Sequence, residues 1–134
     1  MTTNEKGNVA FGKAISYFTE KCYIVSLPLN DSQWYDMIIE KDNIFQTVQV
    51  KYTSQLGSSG AYACSLKLTS GTSRKSVYSI KDTPVDLLFC YCANGDMYLI
   101  PTRDFHNKTA IYLTRHRSIF GNKNTLDTSQ YVLN

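Results

Sequence analysis

The sequence has few of the residues that build zinc sites or disulfide frameworks. Only two histidines are present, His106 and His116, and their spacing does not complete a zinc site. None of the four cysteines stands in a C-x-x-C pair. Free cysteine is among the most buried residue types. We therefore interpret all of them as buried structural thiols: Cys22, Cys64, Cys90 and Cys92.

Long hydrophobic runs are also absent. No stretch approaches the about 18 apolar residues of a membrane-spanning helix, and the polar N-terminus lacks the apolar core of a signal peptide. We therefore expect a cytoplasmic protein. The length of 134 residues suits one domain, and ten tyrosines and six phenylalanines supply material for a packed core. The predicted organisation is one domain at 1–134 that includes a basic C-terminal segment at 103–134.

Positive charge is concentrated in the later part of the chain. Residues 1–52 hold five lysines and six acidic residues, whereas residues 53–134 hold nine basic and five acidic residues. Clustered basic side chains suit contacts with phosphate groups, although charge considered alone favours a solvated surface. The candidate DNA-binding residues are Arg74, Lys75, Arg103, Arg115, Arg117 and Lys123.

A β-hairpin is the most informative pattern in the chain. Residues 34–40 read as one strand and residues 45–51 as the next, with the polar residues Lys41-Asp42-Asn43 between them. Side chains alternate between the two faces of a strand. Val48 and Val50 are therefore expected to point into the core.

Three polar residues of this hairpin would meet at one place. Gln49 and Lys51 stand two apart and so share one face of their strand, and Asp36 lies on the neighbouring strand. A carboxylate can hold a hard divalent cation, which polarises a phosphate and lowers the pKa of a bound water. A lysine ammonium can stabilise the charge that develops on the phosphate. The pattern therefore indicates metal-assisted hydrolysis of a phosphodiester.

Turn signals and periodicity predict the other elements. Residues 1–6 read as a disordered start and residues 7–21 as an amphipathic helix. Asn94-Gly95 is a hairpin turn signal. Residues 101–105 read as a short helical turn. Further strands are predicted at 23–27 (buried), 61–68, 85–92, 97–100 and 110–114.

These segments together resemble the PD-(D/E)XK nuclease family. The sequence is most similar to the branch that contains a homing endonuclease encoded in a cyanobacterial group I intron. The resemblance implies an α/β, restriction-endonuclease-like fold, in which helices flank a mixed central sheet and the first helix packs beside the site. The residues that carry it are Asp36, Gln49-Val50-Lys51 and the segments 7–11, 14–18, 22–29, 85–92 and 97–101.

The resemblance also implies roles for individual residues. Asp36, Gln49 and the backbone carbonyl of Val50 would hold Mg²⁺ or another divalent metal. Lys51 would lie beside the attacking water and the scissile phosphate. Double-stranded DNA would be the substrate, and the protein would act as a homodimer or homotetramer, since one small domain has one active site.

Two positions depart from the family pattern. Gln49 stands where the family usually has Glu or Asp, so it keeps a carbonyl oxygen and loses a charge. Phe11 stands where the first helix of the family carries a metal-binding Glu. Phe11 also fits the core-facing side of the helix, with Ala14 and Phe18, and both interpretations can hold together.

The expected function is that of a site-specific homing endonuclease that makes a double-strand break by metal-dependent hydrolysis. One alternative is a nuclease like the Holliday junction resolvases, which selects branched DNA by its shape. The other is a DNA-binding protein without cleavage activity, in which Phe11 has removed a metal ligand. Whether or not Phe11 impairs the enzyme is left open by the sequence.

Overall fold

The computed structural model describes residues 1–30, 33–69, 77–104, 109–116 and 126–134. Within these residues one α-helix, α1 (Thr3–Glu20), precedes a series of strands and short 3₁₀ turns. The 3₁₀ turns are Ile80–Asp82, Thr102–Asp104 and Thr128–Tyr131. The strands are β1 (Ile24–Ser26), β2 (Met37–Lys41), β3 (Ile44–Thr53), β4 (Tyr62–Ser65), β5 (Lys67–Thr69), β6 (Val77–Ser79), β7 (Leu87–Cys92), β8 (Met97–Pro101) and β9 (Ala110–Leu113).

A five-stranded sheet forms the centre of the fold, with the strand order β1-β2-β3-β7-β8. β3 pairs with β7 in parallel, and the other neighbouring strands are antiparallel. The predicted α/β fold with a mixed central sheet is therefore confirmed. β3 is the middle strand, and residues on it are reached from both β2 and β7.

The helix α1 covers one face of this sheet. Its residues Ala14 and Phe18 pack with Val48 and Phe89 of the central strands, and Ala10 is buried as well. The helix begins at Thr3, so the prediction of a disordered start at 1–6 is wrong. Thr2 and Glu5 form a capping box, in which each side chain accepts a hydrogen bond from the other residue's backbone N–H. Such a box satisfies N–H groups that the first helical turn leaves unpaired.

The other face of the sheet is covered by strands rather than by a helix in the described part of the chain. Alternate residues of β7, Leu88, Cys90 and Cys92, pack here with Cys64 of β4 and Ile111 of β9. Cys90 and Cys92 therefore share a face, as their spacing predicts. The prediction of one strand at 61–68 is wrong, because β4 and β5 belong to different sheets and are separated by a buried Leu66.

Two predictions at the end of α1 also need correction. The strand at 23–27 was expected to be buried, but β1 is the edge strand and Ile24 is 61% exposed. Cys22 was expected to be a buried thiol and is exposed, at a residue whose φ of 67° turns the chain out of the helix. The other three cysteines are buried.

The tight turn between β2 and β3 fixes the register of the hairpin. Lys41 pairs with Ile44, which leaves a loop of Asp42 and Asn43, both with positive φ (55° and 65°). Asparagine and aspartate tolerate this conformation, and their pairing is typical of the type I′ turns that join twisted strands. The predicted hairpin is confirmed, and the register places Met37 opposite Val48.

The C-terminal end of the described chain packs against the sheet. Thr128 is fully buried, and its hydroxyl donates a hydrogen bond to the Tyr112 carbonyl of β9. Val132 bridges to Tyr98 of β8. No helix among the described residues has the length and apolar character that a membrane crossing requires.

Candidate active site

Asp36 lies immediately before β2, at the point where that strand stops pairing with β3. Its N–H donates to the Val48 carbonyl at 2.8 Å, and its Oδ2 accepts from the Val50 N–H at 2.7 Å. The carboxylate therefore takes the place of a strand carbonyl in the ladder. In the described part of the chain, Oδ1 accepts no comparable hydrogen bond, so one oxygen is held by β3 and the other is open to a ligand.

Beyond this point, no other strand of the described residues pairs with this edge of β3, which we call the open edge. β3 continues to Thr53, whereas its pairing with β2 ends at Val48. The N–H and C=O of one residue point to the same side of a strand. Because the Val50 N–H points toward Asp36, the Val50 carbonyl also points to this open edge. Gln49 reaches it as well, since its Nε2 lies 3.4 Å from the Val50 oxygen.

A cavity of about 500 Å³ opens at this edge, between β3 and the first half of α1. A second cavity, of about 280 Å³, lies on the other side of Asp36 and Phe11, which line both. The residues that line the larger cavity are Thr3, Asn4, Gly7, Asn8, Phe11, Asp36, Gln49 and Val50.

Burial raises the pKa of the Asp36 carboxyl above its ordinary value of 3.8. The hydrogen bond from Val50 and the positive charge of Lys51 both lower this pKa, but they do not cancel the effect of burial. A buried carboxylate that bears this cost is typical of functional sites, although structural networks also produce such shifts.

Lys51 contacts a different part of the chain. Its Nζ donates to the Lys67 carbonyl, at the start of β5, at 2.9 Å. Lys51 pairs in register with Cys90, whose side chain lies in the core opposite α1. Its ammonium therefore lies on the face of β3 away from the helix, and its charge still reaches Asp36. It is not among the residues that line the larger cavity.

Phe11 is both a core residue and part of the cavity wall at the position of the family's Glu. It is half-buried and packs against the core between α1 and the sheet. It also faces Asp36 across the cavity wall and brings no oxygen there. Neither Glu5 nor Glu20 replaces a missing carboxylate, because Glu5 is engaged in the capping box and Glu20 accepts a hydrogen bond from Ser16.

The oxygen atoms at this site fit a hydrated divalent cation. Asp36 offers a carboxylate, Gln49 an amide oxygen and Val50 a carbonyl, and all three line the same cavity. Mg²⁺ prefers oxygen ligands, keeps several waters and is commonly held by one or two carboxylates together with substrate phosphates. The described residues contain no cluster of three or more His, Cys, Asp or Glu side chains. A metal here would depend on one carboxylate.

The candidate DNA-binding residues are not brought together around the cavity. Arg103 is 82% exposed, with Nε 4.0 Å from Asp104. Arg115 forms an ion pair with Asp96 at 2.9 Å, beside a separate cavity of about 130 Å³. The remaining four lie outside the described residues: Arg74, Lys75, Arg117 and Lys123.

Sequence reasoning missed the residues that the first turns of α1 bring to the cavity. Thr3, Asn4 and Asn8 supply hydroxyl and amide groups to its wall. Their segment was interpreted as disordered because it is polar and N-terminal. The capping-box sequence, Thr2 followed by Glu5, was the signal that could have placed the start of the helix there.

Comparisons with known proteins agree with this fold. A family model described as PD-(D/E)XK endonuclease matches residues 1–132. Among solved structures, the bacterial homing endonuclease I-Ssp6803I superposes with a TM-score of 0.73 and 22% identity, covering 98% of this chain and 89% of that one. A search of curated proteins gave no significant match. The structural likeness supports the fold, and the family match extends over nearly the whole sequence. This chain therefore belongs to the PD-(D/E)XK endonuclease family.

Proposed function

We propose that this protein is a site-specific DNA endonuclease of the homing type, which makes a double-strand break by metal-dependent hydrolysis. The observation that carries the proposal is the convergence of Asp36, Gln49 and the Val50 carbonyl on one cavity at the open edge of β3. The superposition with a bacterial homing endonuclease supports the homing type.

The three oxygen donors would hold Mg²⁺ or a similar ion. Such an ion lowers the pKa of a bound water and neutralises charge on the scissile phosphate. Asp36 supplies the only formal negative charge among these donors, and the hydrogen bond from Val50 orients its carboxylate. Gln49 can turn its amide so that the oxygen, rather than Nε2, faces the cavity.

Lys51 would stabilise the phosphate as negative charge develops in the transition state. In the free protein its ammonium is hydrogen-bonded to the Lys67 carbonyl. An ammonium has three donors, so Lys51 can keep this bond and still donate to a phosphate oxygen. The bond to β5 would then serve to hold the charge in position before DNA binds.

Cleavage of both strands would require two copies of this site, so we propose a homodimer or homotetramer. Exposed apolar side chains at the edge of the sheet support this proposal. Ile24 and Phe45 are 61% and 68% exposed and flank Glu40 in the cross-strand register. Residues directly opposite each other project from the same face. Exposed apolar side chains grouped in this way are typical of interaction surfaces.

A second candidate function is DNA binding without cleavage. Phe11 favours it, because an apolar ring lines the cavity where the family resemblance calls for a carboxylate. With Asp36 as the only carboxylate that the described residues bring to the site, metal affinity would be low. The two candidates share the substrate and differ in whether the phosphodiester is cut.

The test is cleavage of a randomised duplex library in Mg²⁺ by the parent protein and by Phe11→Glu, with the cut ends sequenced. We expect the Glu variant to cut at a recurring site and the parent to cut at least about tenfold more slowly, because position 11 then supplies a second carboxylate. Phe11→Glu/Lys51→Ala serves as the inactive control. A four-way junction added as competitor distinguishes a resolvase, which would prefer it to the linear duplex.

The possible results separate the candidates. Cleavage by both proteins at the same rate would mean that Phe11 is a core residue without effect on the metal. Binding of duplex without cleavage by either protein would make the binding protein the better description.

A further inference from the structure

Two lysines of α1 lie over two tyrosines beside the cavity. Lys6 Nζ is 5.8 Å from the centre of the Tyr52 ring, and Lys13 Nζ is 5.7 Å from that of Tyr91. An ammonium within about 6 Å of a ring centre is attracted to the ring face. Tyr52 and Tyr91 are register partners on β3 and β7, with ring centres 6.0 Å apart. These four side chains form one surface, which we call the lysine–tyrosine patch.

On the sheet, the patch lies next to the candidate active site. Tyr52 follows Val50 by two residues, so both project from the face of β3 that α1 covers. On the helix, Lys6 and Lys13 lie on the opposite flank from Asn4 and Asn8 of the cavity wall, because successive helical residues are rotated by about 100°. A duplex whose scissile phosphate lies at Asp36 would therefore reach the patch by passing the N-terminal turn of α1.

The charges of the patch are available to a ligand. The ion pairs in the described part of the chain involve Arg103 and Arg115, and neither Lys6 nor Lys13. Lys13 is exposed and Lys6 is half-buried. Lysines that already rest on a ring have lost part of their rotamer freedom, so ordering them on a ligand costs less entropy.

The spacing of the lysines suits a polyanion. Lys6 and Lys13 are seven residues apart on one helix, which separates their Cα atoms by about 10.5 Å along the axis. Phosphates on one DNA strand recur every 3.4 Å or so along the duplex axis. The two ammonium groups can therefore contact different phosphates of the same backbone.

We propose that the lysine–tyrosine patch binds the sugar–phosphate backbone of duplex DNA beside the scissile phosphate. This inference rests on the proposed function and adds to it the path that the DNA follows out of the site. Contacts of this kind position the duplex and carry no sequence information. The sequence had pointed instead to the basic residues of the later part of the chain.

The test is DNA affinity as a function of salt concentration, measured by fluorescence anisotropy on a short duplex of arbitrary sequence in EDTA, which prevents cleavage. The log of the binding constant falls with log salt by about 0.9 for each phosphate contact. We expect the slope of Lys6→Gln/Lys13→Gln to be less steep than that of the parent by about 1.8. The loss of affinity should be equal on unrelated sequences.

The chain supplies a matched control. Lys21 Nζ lies 5.8 Å from the Tyr17 ring, at the far end of α1 from the cavity, so Lys21→Gln removes the same charge from the same kind of contact. It should keep the parental slope, and Lys6→Arg/Lys13→Arg should keep it too. Thermal melts verify folding, and the exposed Lys13→Gln serves alone if the double variant does not fold.

Each result decides the matter. A parental salt slope in the folded Gln variants would overturn the proposal that the patch binds DNA. A slope reduced by the same amount in Lys21→Gln would overturn it too. Both results would leave the nuclease proposal in place. Failure of the parent itself to bind any duplex would overturn the proposed function and this inference with it.

Discussion

Two aspartates hold β3 from opposite sides by the same local arrangement. Asp36 precedes β2 and accepts the Val50 N–H at 2.7 Å. Asp86 precedes β7 and accepts the Thr47 N–H at 2.9 Å. Each also donates its own N–H to a carbonyl of β3, Asp36 to Val48 and Asp86 to Thr47. By backbone geometry alone, the two residues have equal claims to be structural.

Asp36 and Asp86 differ in their surroundings. Asp86 is exposed, and the Thr47 hydroxyl shares its carboxylate oxygen at 3.3 Å. Asp36 is half-buried, faces a cavity on each side, and has a pKa raised by that burial. A local arrangement therefore fixes the position of a carboxylate. Its chemistry depends on what the rest of the fold places opposite its second oxygen.

The largest expected difference between the two aspartates is in cleavage. In the Phe11→Glu background, Asp36→Asn should lower the cleavage rate by about 10²–10³-fold, since it removes charge that would hold the metal. Asp86→Asn should retain the rate within about threefold, since exposed changes away from the site have small effects. The measurement is single-turnover cleavage at saturating protein. Equal losses of cleavage rate in both variants would mean that Asp36, like Asp86, is a structural residue.

A smaller difference should be seen in stability against pH. A raised pKa means that Asp36 binds its proton more tightly in the folded protein than in the unfolded chain. Its contribution to the free energy of unfolding is therefore greatest below the ordinary pKa of 3.8. That contribution is lost as the pH rises through the pKa of the folded protein. Asp36→Asn cannot titrate. Its melting temperature relative to the parent should therefore increase with pH across that window and then stay constant. Asp86→Asn should instead be less stable near neutral pH by about 1 kcal/mol, because it weakens a hydrogen bond.

The measurement is a series of thermal melts that starts at about pH 3, below the ordinary value, and extends to about pH 8. A difference between Asp36→Asn and the parent that does not change with pH would show that burial leaves this carboxyl unperturbed. The contrast with Asp86 would then rest on cleavage alone.

The hairpin that carries Asp36 was predictable because its signals are local. Alternation in β3 and the Asp42-Asn43 turn fix which side chains share a face, and the register follows from the turn. The strand predicted at 85–92 likewise contains β7, which begins directly after Asp86. What was not predictable is the order of strands, so β1 was taken to be buried although it lies at the sheet edge.

The wall of the cavity depends on contacts between distant parts of the chain. Thr3 and Asn8 meet Gln49 only because α1 crosses β3. Periodicity within the first eleven residues does not indicate that crossing, and only the family resemblance predicted that the first helix packs beside the site. The same crossing places Lys6 over Tyr52. The catalytic roles assigned to Asp36 and Gln49 stay predictions.

The smallest effects are expected from replacing two glycines of α1, Gly7 and Gly12. A Cβ added at Gly7 or at Gly12 would meet no atom within 4 Å. Both lie inside α1, where glycine is less favourable than alanine by about 0.5–1 kcal/mol. Gly7→Ala and Gly12→Ala should therefore each raise the free energy of unfolding by that amount, measured by denaturant titration.

Only Gly7 lines the cavity, so only Gly7→Ala should also affect function. Its added methyl group would project where a phosphate has to approach Asp36, and we expect a reduction of severalfold in cleavage by the Phe11→Glu variant, with Gly12→Ala unchanged. Equal activity in the two alanine variants would mean that DNA does not enter between α1 and β3. A loss of stability in Gly7→Ala alone would instead mean that the first turns of α1 need a glycine for their own conformation, and that the open space beside it is not kept for a ligand.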